Sequence, residues 1–366
     1  ESHEPGSTFK LMDLIAVLDD KKADTGTVYN SFGGEIEYYK RKVRDSHKGG
    51  YGKISLARGF EVSSNTVLVQ SVYESYKNNP KQFVDRINSY GLNKPLGLPI
   101  KGEGIPVIPQ PGTNRWSGVS LPWMAFGYGL SVTPLQTLTL YNAVANNGVM
   151  VKPIFVSEIK EWNKTIKKFD TQVINPKICS QETLDKVHAV LENVVKKGTG
   201  SKLYSKDFSM AGKTGTAQVN YKDKSKLYYA SSFVGYFPAD EPKYSCIVVV
   251  HKPNVAAGYY GADVAGPVFK RIAQKIFTDS PSTNHVKNID AKVVSQEKNY
   301  SEYYKKVEKE ERIVPNVKGM DGMDAVALLE NLGLKVKVIG VGRVKKQSLT
   351  SGQAFNKNQT IIIELS

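Results

Sequence analysis

EPGSTFKLMDLIAVL, residues 4–18, is the stretch on which the reading of this chain turns. Phe9 to Leu18 is apolar almost all round, with Leu11, Leu14, Ile15 and Leu18 on one face and Phe9, Met12 and Ala16 on another. Such a pattern predicts a helix enclosed by the fold rather than laid on its surface. At its entrance Pro5-Gly6 precedes Ser7-Thr8-Phe9-Lys10. Positions i and i+3 share a helix face, so the Lys10 amine is placed to reach the Ser7 hydroxyl. A serine hydroxyl becomes a useful nucleophile when a neighbour takes its proton, and a lysine in a desolvated pocket can be neutral enough to do so. Free N–H groups at a helix start can also stabilise a developing oxyanion. Taken alone, the tetrapeptide reads more simply as an N-cap serine followed by a surface lysine.

Two further motifs change that balance. Ser63-Ser64-Asn65 lies between a helix-like segment, Leu56 to Val62, and a helix beginning near Thr66. A hydroxyl and a carboxamide two positions apart in one turn can supply a proton relay, Ser63, and an amide that orients a substrate backbone, Asn65. The plain alternative is turn chemistry. Gly212-Lys213-Thr214-Gly215-Thr216 falls on a strand predicted over Phe208 to Gln218. Strand alternation turns Lys213 and Gly215 one way and Thr214 and Thr216 the other, and the glycines admit a strand-like substrate whose carboxylate Lys213 and the threonines could hold. An exposed edge strand with a protective lysine is the plain alternative. Ser231 to Phe237 and Tyr244 to His251 complete an antiparallel meander, followed by a helix from Val264 to Phe277. Thr66 to Tyr73, Thr133 to Ala145 and Glu182 to Val195 are the remaining predicted helices.

The chain has 366 residues, 40% hydrophobic and 10% aromatic, which is material for more than one core. No window approaches about 18 consecutive apolar residues, and the start has no basic-flanked apolar leader, so neither a membrane span nor a signal peptide is read in it. The formal charge of +15 comes from 50 Lys plus Arg against 35 Asp plus Glu, scattered in short runs such as Lys40-Arg41-Lys42. No recognition helix or basic-aromatic face accompanies it, which argues against nucleic acid; a basic surface suits work beside anionic lipid or an acidic polymer. Cys179 and Cys246 lack metal-ligand spacing, and Cys246 reads as a small buried hydrophobe.

From 278 to 311 the aliphatic density falls and Ser, Asn, Lys and Glu take over, which reads as a linker. Beyond it, residues 312–366 form a small α+β unit. Asp321 caps a helix over Gly322 to Leu332 with Gly333 as its stop, Leu334, Val336 and Val338 alternate with lysines, and Thr360 to Leu365 is a closing strand.

Ser-x-x-Lys at Ser7, Ser-x-Asn at Ser63 and Lys-Thr-Gly at Lys213 follow in order on a helix start, a turn and a strand, and together they resemble the set shared by penicillin-binding proteins and class A β-lactamases. With EPGSTFK, VSSNTVLVQ, FGYGLSVTPLQ, AGKTGTAQ and YGADVAGPVF, residues 1–277 resemble the transpeptidase domain of a class B penicillin-binding protein. The tail resembles a PASTA domain through Val314-Pro315-Asn316-Val317, Gly333-Leu334 and the last strand. The resemblance implies an α+β fold of the penicillin-binding protein and β-lactamase kind, with an antiparallel sheet and helices on both faces. It implies that Ser7 attacks the D-alanyl-D-alanine stem peptide of peptidoglycan, releases D-alanine and passes the acyl group to an amine. Lys10 is then the base, Ser63 the relay and Asn65 a substrate-amide ligand. Lys213, Thr214, Gly215 and Thr216 line the carboxylate site, and the backbone N–H groups of Ser7 and Thr216 form the oxyanion hole. The charge of Lys213 is expected to lower the proton affinity of Lys10. Neither metal nor cofactor is implied. The implied partners are stem peptides, β-lactams that acylate Ser7, and other cell-wall enzymes such as a glycosyltransferase. The implied place is the outer face of the bacterial cytoplasmic membrane, in cell division. The family carries an anchor and sheet strands ahead of this serine, so an N-terminally truncated domain is expected, with a sheet edge uncovered. A β-lactamase or D,D-carboxypeptidase and a non-catalytic β-lactam sensor are the alternatives; no Glu-x-x-Leu-Asn segment stands between Asn65 and Lys213 to support the class A hydrolase.

Overall fold

The computed structural model describes residues 1–162, 164–221, 223, 225–256, 258–279 and 312–366. The chain divides into two compact units, Glu1–Pro281 and Ser282–Ser366. Apart from residues 278 and 279, the linker expected at 278–311 lies outside the described residues.

In the first unit, α1 (Lys10–Asp19) is enclosed as its all-round apolar pattern requires, every residue from Lys10 to Leu18 being buried. Short strand β1 (Val28–Asn30), a hairpin of β2 (Glu35–Tyr38) and β3 (Arg41–Arg44), and β4 (Lys53–Ser55) follow, with β1 pairing β4. The polar stretch from Asp20 to Ser55 lacks a long apolar period, which is why these strands escape a sequence reading. Ser55 caps α2 (Leu56–Glu61), and Ser64 caps α3 (Asn65–Tyr76) by accepting from Val67 N. Next come α4 (Pro80–Ser89), α5 (Ser120–Met124) and α6 (Pro134–Ala145), the last started by a Thr133/Gln136 capping box with proline in its first turn.

Beyond α6, β5 (Met150–Val151) pairs β8 (Val173–Asn175), and between them β6 (Glu158–Glu161) and β7 (Lys164–Lys168) form a hairpin exposed along both strands. Helix α7 (Gln181–Lys197) buries Leu184, Val187, Val190, Leu191, Val194 and Val195 along one stripe. Ser180 caps it, and Glu182 and Lys196-Lys197 sit at the ends their charges favour.

The main sheet holds β9 (Ala211–Val219), β10 (Tyr228–Phe237) and β11 (Tyr244–His251), antiparallel in the order β11-β10-β9. Phe233 and Phe237 turn one face toward Phe269 of α8 (Gly261–Asp279), while Val234 and Tyr236 join the core that contains α1, α3, α6 and α7. Helices therefore cover both faces, as expected. No strand pairs the outer edge of β11 among the described residues, and Cys246 to Val250 on it are only half-buried. Cys246 is thus not the buried hydrophobe read from its apolar run; both cysteines are free thiols.

In the second unit, Asp321 caps α9 (Gly322–Asn331), and Gly333 turns left-handed behind it. The helix packs on a sheet in which β14 (Thr360–Leu365) lies between parallel β12 (Lys335–Ile339) and antiparallel β13 (Val344–Gln347). Ala325, Leu328, Leu329, Ile361 and Ile363 lie at the centre of its core.

Candidate active site

Ser7 sits, half-buried, in a single 3-10 turn, Gly6–Thr8, that leads into α1. That turn is wedged by close backbone packing. Gly6 N donates to Gly127 O at 3.1 Å, and a Cβ on Gly127 would stand 2.0 Å from Gly6 O. Both residues have positive φ, which side chains other than glycine rarely adopt. Thr8 Oγ1 donates to Pro5 O at 2.9 Å, and Tyr141 of α6 donates to Thr8 O at 2.9 Å. PGS and FGYG thus form one clamp around the nucleophile.

Lys10 is fully buried, and its Nζ donates to Ser63 O at 2.8 Å, Ser63 Oγ at 3.2 Å and Asn65 Oδ1 at 2.6 Å. These three acceptors use the three N–H groups of an ammonium. The expected direct link to Ser7 is not among its hydrogen bonds, because the long side chain runs from the start of α1 toward the turn before α3. Burial lowers the Lys10 pKa to about 7, against the opposing charges of Asp45 and Asp13.

Lys213, also fully buried, reaches the same hydroxyl from β9, its Nζ donating to Ser63 Oγ at 2.8 Å and to Thr214 O at 3.0 Å. Its pKa falls well below the usual lysine range, first through burial and then through the charge of Lys10. Burial is the first cause at both lysines, and the repulsion between their like charges is mutual. A buried pair of amines 2.8 Å and 3.2 Å from one hydroxyl cannot both keep a proton cheaply. When Lys213 is the neutral member, its lone pair can accept the Ser63 proton while Ser63 Oγ accepts from Lys10.

Ser63 has a left-handed backbone, φ 58°, which aims both its carbonyl and its hydroxyl at Lys10. Asn65 accepts from Lys10 and also donates through Nδ2 to Arg44 O at 2.7 Å, leaving one of its two amide hydrogens for another acceptor. On β9 the alternation is as expected. Gly215 faces Thr8 and Ser232, where a Cβ would meet Ser232 Oγ at 2.3 Å. Thr214 and Thr216 face away from them: Thr214 Oγ1 pairs with Thr199 Oγ1 at 2.7 Å, and Thr216 Oγ1 accepts from Gly261 N at 3.0 Å. The structure thus gathers Ser63, Asn65, Lys10 and Lys213 into one hydrogen-bonded group, with Ser7 on the turn beside it and the threonines on the strand.

Four contributors carried no signal in a linear reading. Asp45 accepts from Ser64, Thr66 N and Thr66 Oγ1 behind the Ser63 turn. Thr199 and Gly261 set the two threonine hydroxyls. Asp13 is fully buried three positions after Lys10, neither carboxyl oxygen having a hydrogen-bond partner, and burial holds its pKa well above the usual carboxylate range. Among the described residues no group of three or more His, Cys, Asp or Glu is placed to hold a metal ion.

A family model of the penicillin binding protein transpeptidase domain matches residues 1–274, and one of the PASTA domain matches residues 312–366. Stage V sporulation protein D of Bacillus subtilis is 30% identical over 376 residues, covering 100% of this chain and 54% of that protein. Peptidoglycan D,D-transpeptidase FtsI of Buchnera aphidicola is 31% identical over 280 residues, covering 75% of this chain and 45% of its own length. The chain therefore spans about half the length of the curated relatives it matches. Among solved structures, penicillin binding protein 3 of Mycobacterium tuberculosis in complex with aztreonam is similar at a TM-score of 0.66 and 26% identity, over 76% of this chain and 63% of that one. The class B resemblance drawn from the motifs is borne out: the chain belongs to the penicillin-binding protein transpeptidase family.

Proposed function

We propose that this chain is the catalytic part of a peptidoglycan D,D-transpeptidase, with residues 1–277 as the transpeptidase domain, 278–311 as a linker and 312–366 as a PASTA domain. The observation that carries the reading is the convergence of two buried lysines on one serine hydroxyl beside the Ser7 turn.

An ammonium whose three hydrogens are all donated has no lone pair to offer. With a pKa of about 7, however, Lys10 is readily the free amine at neutral pH, holding two of its contacts by N–H while its lone pair turns to Ser7. As the Ser7 oxygen bonds to the penultimate D-alanine carbonyl, its proton passes to Lys10. Oxyanion stabilisation falls to Ser7 N and Thr216 N. Strand parity supports the second donor: Gln218 N donates to Tyr128 OH at 2.9 Å, away from β10, and the N–H two residues earlier points the same way. When the carbon–nitrogen bond breaks, the departing D-alanine amine gains a proton through Ser63. An incoming amine attacks the acyl ester, and Ser7 recovers its proton. Lys213, Thr214, Gly215 and Thr216 line the end of the cleft for the substrate carboxylate, and Asn65 offers its remaining amide hydrogen to a substrate carbonyl.

A β-lactam presents an equivalent amide, closed in a four-membered ring, to Ser7, so β-lactams are the proposed inhibitors. The proposed setting is the bacterial cell envelope, on the outer face of the cytoplasmic membrane, beside a glycosyltransferase and in cell division. Among the described residues no helix is long and apolar enough to cross a membrane. Intact mass after mixing with benzylpenicillin tests the reading. A stable adduct is expected on the chain and none on Ser7→Ala. Absence of an adduct on folded protein, or its persistence in the variant, overturns it, and an adduct lost within about seconds assigns a β-lactamase instead.

A further inference from the structure

Asp45 follows the β2–β3 hairpin and belongs to none of the motifs. Its carboxylate is spent on one short stretch of chain. Oδ1 accepts from Thr66 N at 2.9 Å and Ser64 Oγ at 3.1 Å, and Oδ2 accepts from Thr66 Oγ1 at 2.9 Å and Ser64 Oγ at 3.0 Å. Beside it, Arg44 O accepts from Asn65 Nδ2. Residues 64, 65 and 66 are thus gripped by the hairpin end, while Lys10 grips residues 63 and 65.

What is gripped is a strained turn. A left-handed serine costs on the order of 1 kcal/mol or more and persists only where its surroundings over-determine it. Ser63 Oγ is also where both lysines meet, so a relaxed turn would part them.

The charged groups around Lys10 are few. Lys213 faces it from β9, Asp13 from its own helix, and Asp45 from behind the Ser63–Asn65 turn. Asp13 raises the proton affinity of Lys10 only when ionised, and an unpartnered, fully buried carboxyl favours its acid form. Around Asp45 itself lie Tyr51, whose phenol burial and Asp45 both push up, and Arg58, which acts on Tyr51 in the opposite sense. Arg44 and Lys42 are paired with Glu35. Asp45 is thus the first of the two carboxylates whose charge opposes the burial of Lys10.

We propose that Asp45 is a positioning residue for acyl transfer at Ser7: from behind, its carboxylate holds the left-handed Ser63 turn, and so the hydroxyl on which the two lysines meet. This rests on the reading of Ser7 as the acylated residue. Grip and charge separate by substitution. Asp45→Asn keeps the size and can still accept from Thr66 N through its amide oxygen, while its Nδ2 donates to the Thr66 hydroxyl, but it removes the charge, so Lys10 becomes the free amine at lower pH. Asp45→Ala removes both.

The test is the rate of acylation by benzylpenicillin from about pH 5.5 to 9, read by intact mass on the full chain, with circular dichroism to verify folding. In Asp45→Asn the acid limb moves down by about one pH unit while the plateau falls less than in Asp45→Ala. In Asp45→Ala the plateau falls by at least about tenfold. An Asp45→Asn limb at its original position, or an Asp45→Ala plateau equal to the original, overturns the proposal. If Asp45→Ala does not fold, the Asp45→Asn limb decides. An unsubstituted chain that takes no penicillin at all fails the Ser7 reading itself, a different result from a reactive chain whose acid limb does not move.

Discussion

The two units bury very different things. Among the described residues, the first encloses Lys10, Asp13, Glu61 and Lys213 along with hydroxyls such as Ser64 and Thr66, whereas the buried side chains of the second are all apolar. Taking a charge out of water costs several kcal/mol unless partners repay it. A large unit can sustain that cost; a unit of one helix and three strands could not, and it does not attempt it. The contrast separates an element built to carry reactive groups from one built to persist, and it places the chemistry in the first unit on energetic grounds alone.

The largest effect that would break this contrast is at Lys10. Lys10→Met is expected to slow benzylpenicillin acylation by about 10³-fold, since it removes a general base. The same variant should alter the pH dependence of stability. Because the folded pKa, about 7, lies below the unfolded value, the folded chain binds fewer protons between the two. The stability contribution is complete above the unfolded value and is lost as pH falls toward 7, at up to about 1.4 kcal/mol per pH unit. Denaturant melts across that window should show this slope reduced in Lys10→Met. Acylation within tenfold of the original, or an unchanged slope, would mean that the buried amine is merely structural.

A smaller effect is expected at the backbone clamp. Gly127→Ala puts a Cβ against Gly6 O at a positive φ, so the Ser7 turn must shift, and acylation should fall about 10²-fold while Lys10 and Ser63 remain intact. Acylation at the original rate would show the clamp to be irrelevant to the nucleophile. The smallest effect on chemistry is expected from the second unit. Leu328→Ala, in the middle of its core, should cost that unit about 2–5 kcal/mol by calorimetry yet change acylation less than about twofold. A tenfold loss of acylation would erase the separation between the two.

Much of the catalytic machinery was legible because it is locally written. Ser7 and Lys10 share one helical start, Ser63 and Asn65 one turn, and Lys213 to Thr216 one strand, and each pattern is a matter of neighbours three, two or one apart. The meander and the cap at Asp321 were legible for the same reason, apolar alternation and a capping residue being local signals. The hairpin from Glu35 to Arg44 and the strands around Trp162 were not. Their side chains are mostly exposed, so no burial period marks them; Trp162 itself is 96% exposed.

The composition of the cleft could be read along the chain; what buries the two lysines and holds the serine between them could not. Those depend on residues that meet only after folding: Asp45 against Thr66, Gly127 against Gly6, Thr199 against Thr214 and Gly261 against Thr216. The electrostatics of the two lysines have the same origin. Residue identity says that both can be charged, but burial and distance lower the proton affinity of both, and both quantities are properties of the packed molecule.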